Sequence, residues 1–389
     1  MKTPLVQIGG IKIGGGSPIA IQSMTNTPTA DASATVNQII ELYEAGSEIV
    51  RFTVDTKDAA KAVPKIKEIL IKKGFGNIPL VGDFHFNGHI LLEKYPEMAK
   101  VLDKYRINPG NIGYGKLHDE NYAKVIKIAI KNKKAIRIGA NSGSLDQELL
   151  QKLFSKNKKS EKEVMIEVIV KSALDSAKFA EKLGMKRDKI VISVKMSDVV
   201  DTIKAYEKLA FEMKSQKRIY AVHLGLTEAG SGTKGIIKST TALAVLLHEG
   251  IGDTIRVSLT PSGKAKSRNE EVQVCKDILQ SLSLRSFGPE ITSCPGCGRT
   301  NNKLFQKIVS EVNSYLESSA SKKLKNIKIA IMGCVVNGPG EAKTADIALM
   351  LPGKTEKEIA QVYVKGKLLK TITGKNIKSE FIKIIKDFI

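Results

Sequence analysis

Three cysteines late in the chain have the spacing for metal chemistry. Cys294 and Cys297 form a C-x-x-C pair in Cys294-Pro295-Gly296-Cys297-Gly298-Arg299. Cys334 stands apart, in Met332-Gly333-Cys334-Val335-Val336-Asn337-Gly338-Pro339-Gly340-Glu341. The remaining cysteine, Cys275, falls among Val272, Ile278, Leu279 and Leu282 at helical spacing and reads as a buried core thiol. Structural zinc normally takes four protein ligands. All five histidines (His85, His89, His118, His223 and His248) precede residue 286, so a zinc site here is a ligand short. Three thiolates suit a cubane iron–sulfur cluster with one distinct iron, open to a carboxylate or to substrate. Glu341, seven residues after Cys334 in a Gly/Pro-rich loop, is the candidate carboxylate; a loop acid at a helix start is the plainer reading. A thioredoxin-like pair would leave Cys334 unexplained.

A second set of reactive residues sits at the ends of apolar runs. It comprises Gln22, Arg51, Asp83 and His85, Arg106, Arg137 and Asn141, Lys195, Thr227 and Glu228, and Arg256 and Ser258. Five of the eight runs carry an Arg or Lys inside or directly after them. One such cation is ordinarily half of a structural ion pair, because a buried cation needs a partner. Recurrence at equivalent places points instead to a cage around a strongly anionic ligand. Arg suits phosphate, since its planar fork donates two parallel hydrogen bonds. The expectation is a phosphate or diphosphate substrate.

The runs themselves are Ile19–Met24, Ile49–Val54, Leu80–His85, Tyr105–Asn108, Ala135–Ala140, Ile190–Met196, Tyr220–Leu226 and Thr254–Leu259. Helical patterns such as Ala34–Ala45 and Asp58–Lys73 separate them, mostly at the spacing of a βα unit. The long gap before Ile190 holds two helical stretches around a charged loop, Ser155–Lys162, and reads as an added helix. Eight βα units predict a (β/α)8 barrel over residues 1–285, with an open doubly wound sheet as the alternative. In a barrel the strand C-terminal ends carry the catalytic groups, which is where these residues lie. Composition shifts near Ser286-Phe287-Gly288-Pro289. Residues 286–389 then read as a small α/β domain: helix Asn302–Ser318, strands Ile327–Met332, Ile347–Met350 and Gln361–Val364, and helix Asn376–Phe388. Gly14-Gly15-Gly16 reads as a turn between strand-like pieces, and Gly230–Gly235 lacks the ending that a Walker A loop needs.

The chain has 389 residues, 42% of them apolar, enough for a full core. No apolar run reaches the length of a membrane span, and the N-terminus lacks the pattern of a signal peptide. A cytoplasmic protein with no membrane partner is expected. The net charge of +22 raises nucleic-acid binding, but the lysines are scattered over helix faces and aromatics are only 5%. No nucleic-acid partner is expected.

The motifs Ile21-Gln22-Ser23-Met24-Thr25-Asn26-Thr27, Ile138-Gly139-Ala140-Asn141-Ser142-Gly143-Ser144-Leu145 and Gly225-Leu226-Thr227-Glu228-Ala229-Gly230 complete the picture with the two cysteine motifs. With them the chain resembles, over essentially its whole length, bacterial 4-hydroxy-3-methylbut-2-enyl diphosphate synthase of the methylerythritol phosphate pathway, in its short form. The resemblance implies a [4Fe–4S] cluster on Cys294, Cys297, Cys334 and Glu341. It implies reductive ring opening, with two electrons and loss of water, of 2-C-methyl-D-erythritol 2,4-cyclodiphosphate. Reduced flavodoxin or ferredoxin would supply the electrons. It also implies a homodimer in which the cluster domain of one subunit caps the barrel of the other. On this reading Arg51, Arg106, Arg137, Lys195 and Arg256 cage the diphosphate, and Asn141, Thr227 and Ser258 add neutral hydrogen bonds. Glu228 is the candidate proton donor, with Asp83 and His85 as alternates. Two rivals are an RNA-binding protein with a zinc module and a phosphate-substrate barrel lyase using Lys195 as a Schiff-base lysine.

Overall fold

A computed structural model describes residues 1–112, 115–144, 150, 160–261, 268–317, 327–357 and 359–388. The chain divides into two compact units, Met1–Arg285 and Ser286–Ile389.

The first unit opens with a hairpin, β1 (Val6–Ile8) and β2 (Ile11–Ile13), paired antiparallel. It turns at Gly9-Gly10, whereas Gly14-Gly15-Gly16 joins β2 to the next strand. Gly14 is required there: it has φ +71°, and a Cβ would stand 2.3 Å from the Pro4 carbonyl oxygen. Strands and helices then alternate: β3 (Ala20–Met24), α1 (Ala32–Glu44), β4 (Ile49–Thr53), α2 (Lys57–Lys72) and β5 (Leu80–Phe84). Two short helices, α3 (Gly88–Lys94) and α4 (Pro96–Val101), precede β6 (Lys104–Ile107), α5 (Gly115–Lys131) and β7 (Ala135–Asn141). The series ends with α6 (Glu161–Lys182), β8 (Ile190–Lys195), α7 (Val199–Ser215), β9 (Ala221–Leu224), α8 (Gly232–His248), β10 (Thr254–Ile255) and α9 (Asn269–Ser281). Of the two helical stretches expected around Ser155–Lys162, the second is α6; the first lies outside the described residues.

Strands β3 to β10 close into a barrel of eight parallel strands, so the (β/α)8 expectation holds and the open sheet does not. Local chemistry sets the helix starts. Asp31, Thr56 and Asp198 accept the N–H of Ala34, Ala59 and Asp201, and Ser160 with Glu163 forms a capping box on α6.

Alternation along a strand decides what faces the barrel interior. Ala20, Ile49, Val81, Ala135, Val191 and Ala221 pack with Val6, Ile8 and Ile13 as one buried cluster. The hairpin therefore floors the barrel at its N-terminal end. Two positions further along the same strands come Gln22, Arg51, Asp83, Arg137, Ser193 and His223, all buried and all inward. An apolar floor beneath a polar interior is the arrangement that positions the site.

The second unit is a five-stranded sheet ordered β11-β12-β13-β14-β15. Its strands are β11 (Glu290–Ser293), β12 (Lys328–Met332), β13 (Ile347–Met350), β14 (Ile359–Val364) and β15 (Lys367–Thr373). Its helices are α10 (Asn302–Glu317), α11 (Gly338–Thr344) and α12 (Ile377–Asp387). The first three strands run parallel and the last two antiparallel. Phe305, Ile308, Val312, Ile331, Leu349 and Phe381 anchor its core. Strands β11 and β15 and helix α11 go beyond the sequence expectation. Both strands are largely exposed, so neither carries the apolar run that marks a buried one.

Candidate active site

Asp83 organises the interior of the barrel. Its Oδ1 accepts from Arg106 Nη1 at 3.0 Å, and its Oδ2 lies 3.8 Å from Arg51 Nε. Burial alone would raise its pKa, but Arg51 and Arg106 together outweigh burial and hold the carboxyl well below the usual range. Asp83 is thus a fixed anion. Burial brings Arg51 down to about 9, still protonated at neutral pH. Its Nη2 also approaches Met24 Sδ at 2.8 Å.

The neighbouring strands extend the network. Arg106 Nη2 donates to the Gly139 carbonyl oxygen at 3.4 Å. In the amide orientation that satisfies both ends of Asn141, its oxygen accepts from Arg106 Nη2 at 3.1 Å and its nitrogen donates to the Ala140 carbonyl at 3.0 Å. Arg137, 1% exposed, donates to Ser193 Oγ at 2.5 Å. Gly139 leaves room for both guanidinium groups: a Cβ there would stand 2.8 Å from Arg106 Nε and 3.1 Å from Arg137 Nη1. Arg256, just past β10, faces Glu271 of α9 at 3.9 Å. Arg268 lies 3.6 Å from the same carboxylate, and Glu271 Oε1 accepts the Leu259 N–H at 2.9 Å.

At the rim, His85 Nε2 contacts Arg106 Nη1, and its Nδ1 meets Asn111 Nδ2 at 3.0 Å. Burial, then Arg106, lowers the imidazole pKa, so His85 stays neutral. Thr227 is half-buried, its N–H donating to the Met196 carbonyl at 3.1 Å, and Ser258 is half-buried beyond β10. Glu228 is exposed, with φ +55°. A non-glycine residue held in the left-handed region costs energy and recurs at functional loops. Arg51, Asp83, Arg106, Asn141 and His85 thus form one connected group. Arg137, Lys195 and Arg256 share the barrel's inner face, and Thr227, Glu228 and Ser258 follow the strands' C-terminal ends.

Sequence reasoning missed Lys104, Ser193, His223 and Glu271. Lys104, fully buried, donates to Gln22 Oε1 at 2.8 Å. Its signal was the alternation Lys104-Tyr105-Arg106, which puts both cations on one strand face.

In the second unit, β11 runs into Cys294 and β12 into Cys334. The parallel register Ser293↔Ile331 brings the two strand ends side by side. The Gly333 N–H donates to Cys294 Sγ at 3.3 Å. Cys297 is exposed, and its thiol pKa is lowered first by the Arg299 backbone N–H. Thr300 Oγ1 accepts the Cys297 N–H at 3.3 Å, and a Cβ on Gly333 would stand 2.4 Å from Thr300 Cγ2. One turn therefore gathers all three cysteine segments. Glu341 lies in the first turn of α11. Among the described residues, no three His, Cys, Asp or Glu side chains close on a single-ion site. Cys275 is buried in α9, its thiol pushed up to about 12 by burial, which agrees with a core role.

Among the described residues no helix is long and apolar enough to cross a membrane. Among solved structures, the chain is similar to dihydropteroate synthase from Stenotrophomonas maltophilia. That match has 10% identity and a TM-score of 0.50, covering 72% of this chain and 97% of that one. At that identity the likeness shows the barrel fold alone. Type I 3-dehydroquinate dehydratase from Clostridium difficile matches at 17% identity with a TM-score of 0.45, over 72% of this chain and 98% of that one. The description of the GcpE TIM-barrel domain matches residues 3–276, and that of the GcpE protein C-terminal domain matches residues 290–387. With both units matched, the chain belongs to the GcpE family, the 4-hydroxy-3-methylbut-2-enyl diphosphate synthases that make an isoprenoid precursor.

Proposed function

We propose that the chain opens 2-C-methyl-D-erythritol 2,4-cyclodiphosphate reductively to (E)-4-hydroxy-3-methylbut-2-enyl diphosphate. The two electrons would be supplied by reduced flavodoxin or ferredoxin, with Cys294, Cys297, Cys334 and Glu341 as the residues that would hold a [4Fe–4S] cluster to deliver them. The observation that carries this reading is the barrel interior. Arg51, Arg106, Arg137, Lys195 and Arg256 are buried there, with Asp83 and Glu271 as the carboxylates among the described residues that face them. Burying that excess of cations is costly unless an anion completes the set.

The cations bind the diphosphate and fix its orientation, with Arg forks taking phosphate oxygens. Asn141, Thr227 and Ser258 add hydrogen bonds without charge. Asp83 is committed to Arg51 and Arg106 and stays ionised, so its part is to aim the two guanidinium groups. His85 is kept neutral between Arg106 and Asn111 and is less suited than a carboxylic acid to give up a proton. Glu228, on its strained turn, is the group we assign to hold the proton for the departing hydroxyl.

The donor set of the second unit fits a cubane. Cys294 already receives a backbone N–H, Cys297 has a lowered thiol pKa, and Cys334 sits at the adjacent strand end. Glu341, in the first turn of α11, would add a weak oxygen ligand to the three thiolates. A cluster bound there supplies electrons and a Lewis-acidic iron. The proposal includes a homodimer in which the C-terminal unit of one subunit serves the barrel of the other.

Iron, sulfide and zinc analysis of protein purified without oxygen tests the cofactor assignment. About four irons and four sulfides per chain support it. Zinc without sulfide overturns it.

A further inference from the structure

His223 and Lys195 lie together on the inner face of the barrel, and among the described residues neither is paired. His223 is fully buried, and neither ring nitrogen has a hydrogen-bond partner. The register Val191↔Ala221 and Ile192↔Val222 places Ser193 beside His223 and Lys195 beside Gly225. A Cβ on Gly225 would stand 2.3 Å from Lys195 Nζ, so glycine there gives the amine its space. Lys195 is 5% exposed and has no hydrogen bond or carboxylate partner among the described residues.

The groups facing this pair are mostly positive. They are Arg51 from β4, Lys104 and Arg106 from β6, Arg137 from β7 and Arg256 after β10. Asp83 from β5 is taken by Arg51 and Arg106, and Glu271 from α9 by Arg256 and Arg268. Helix α9 also brings Cys275, with its thiol neutral. Helix α7 brings Tyr206, whose hydroxyl donates to the His223 carbonyl oxygen at 2.8 Å. The neutral neighbours Gln22 and Thr254 each leave a buried polar atom unpartnered, Nε2 and Oγ1.

Guanidinium groups keep their protons in such a field, whereas an amine and an imidazole can release theirs. Burial, then Arg137 and Arg256, lowers the Lys195 pKa, and burial, then Lys195 and Arg137, lowers that of His223. An arriving dianion reverses the local field and favours the protonated forms.

We infer that binding of the cyclic diphosphate draws a proton into the Lys195–His223 pair, so that the complex is proton-loaded before any electron arrives. The inference rests on the function proposed above. It makes His223 a positioning residue, charged only when substrate is present. Each phosphorus of a cyclic diphosphate carries a single, strongly acidic hydroxyl. The ligand therefore has no group that titrates near neutral pH, and any proton taken up belongs to the protein.

The test is calorimetry of cyclodiphosphate binding to the oxidised protein, in buffers of different ionisation heat. The expected result is heat that varies with the buffer in the sense of net proton uptake. Affinity should also fall as pH rises, by up to about tenfold per unit where one proton couples. His223→Gln removes the titrating ring, and Lys195→Arg keeps the charge but cannot release it. Each should reduce the uptake and flatten the pH dependence; a purely structural role would weaken binding equally at all pH values. Binding with buffer-independent heat, or with undiminished uptake in both variants, overturns the inference and leaves the substrate assignment standing. Failure of the folded wild-type protein to bind the cyclodiphosphate overturns the substrate assignment and the inference with it.

Discussion

Asp83 holds Arg51 and Arg106 in place, and Asp83→Asn would leave two buried guanidinium groups without their anion. Breaking a buried pair from one side costs about 3–5 kcal/mol, so the chemical denaturation midpoint should fall clearly at neutral pH. The pH dependence has a definite sign. A carboxyl with a depressed folded pKa stabilises the native state above its ordinary range, and that contribution is lost on acidification. Lys195 and His223, with lowered folded pKa values, act the same way, because the unfolded chain binds their protons more readily. Wild-type stability should therefore decline with falling pH, and Asp83→Asn should retain only the shallower part of the slope. Glu228→Gln addresses the proton itself: kcat should fall at least about a hundredfold with cyclodiphosphate affinity nearly unchanged. Arg51, Arg106 and Arg137 were legible in the sequence because a cation inside an apolar run is conspicuous. Lys104 was not, because it opens its strand and reads as one more surface lysine. His223 lacked any signal, since nothing in a single strand reveals that its neighbours are cations.

At the scale of elements, the barrel depends on the β1–β2 hairpin that closes its floor. Val6, Ile8 and Ile13 are all 0% exposed against the lower ends of the strands. Ile8→Ala should cost about 2–5 kcal/mol, seen as a lower denaturation midpoint with an unchanged slope. No such loss would mean that the hairpin does not seal the barrel. The eight barrel strands were readable because parallel strands are buried on both faces and appear as continuous apolar runs. The hairpin is harder to read: each of its strands spans only three residues, too short for a periodicity to show, and Gly14–Gly16 stands out as a turn while Gly9-Gly10 does not. β15 was missed for the opposite reason, since Leu368 and Leu369 are exposed and its pattern does not alternate. For α11 the sequence suggests no more than a helix start near Glu341, because its seven residues begin Gly338-Pro339-Gly340 and carry no apolar period.

At the scale of the molecule, the net charge of +22 divides into solvated helix lysines and the buried cations of the barrel. These respond differently to salt. Exposed charges are screened within about 10 Å at moderate ionic strength, while buried ones are screened far less. Cyclodiphosphate affinity should change only a few-fold between about 50 and 200 mM salt. A protein that used its charge to grip nucleic acid would lose about a thousandfold or more over that range. Titration of ligand binding at the two salt concentrations distinguishes these.

The most direct test of the account is turnover by anaerobically purified protein, reduced chemically and given the cyclodiphosphate. The account predicts linear 4-hydroxy-3-methylbut-2-enyl diphosphate, with two electrons consumed per molecule formed. Electron-independent consumption of the cyclodiphosphate, or none by protein that holds its full complement of iron and sulfide, would contradict it.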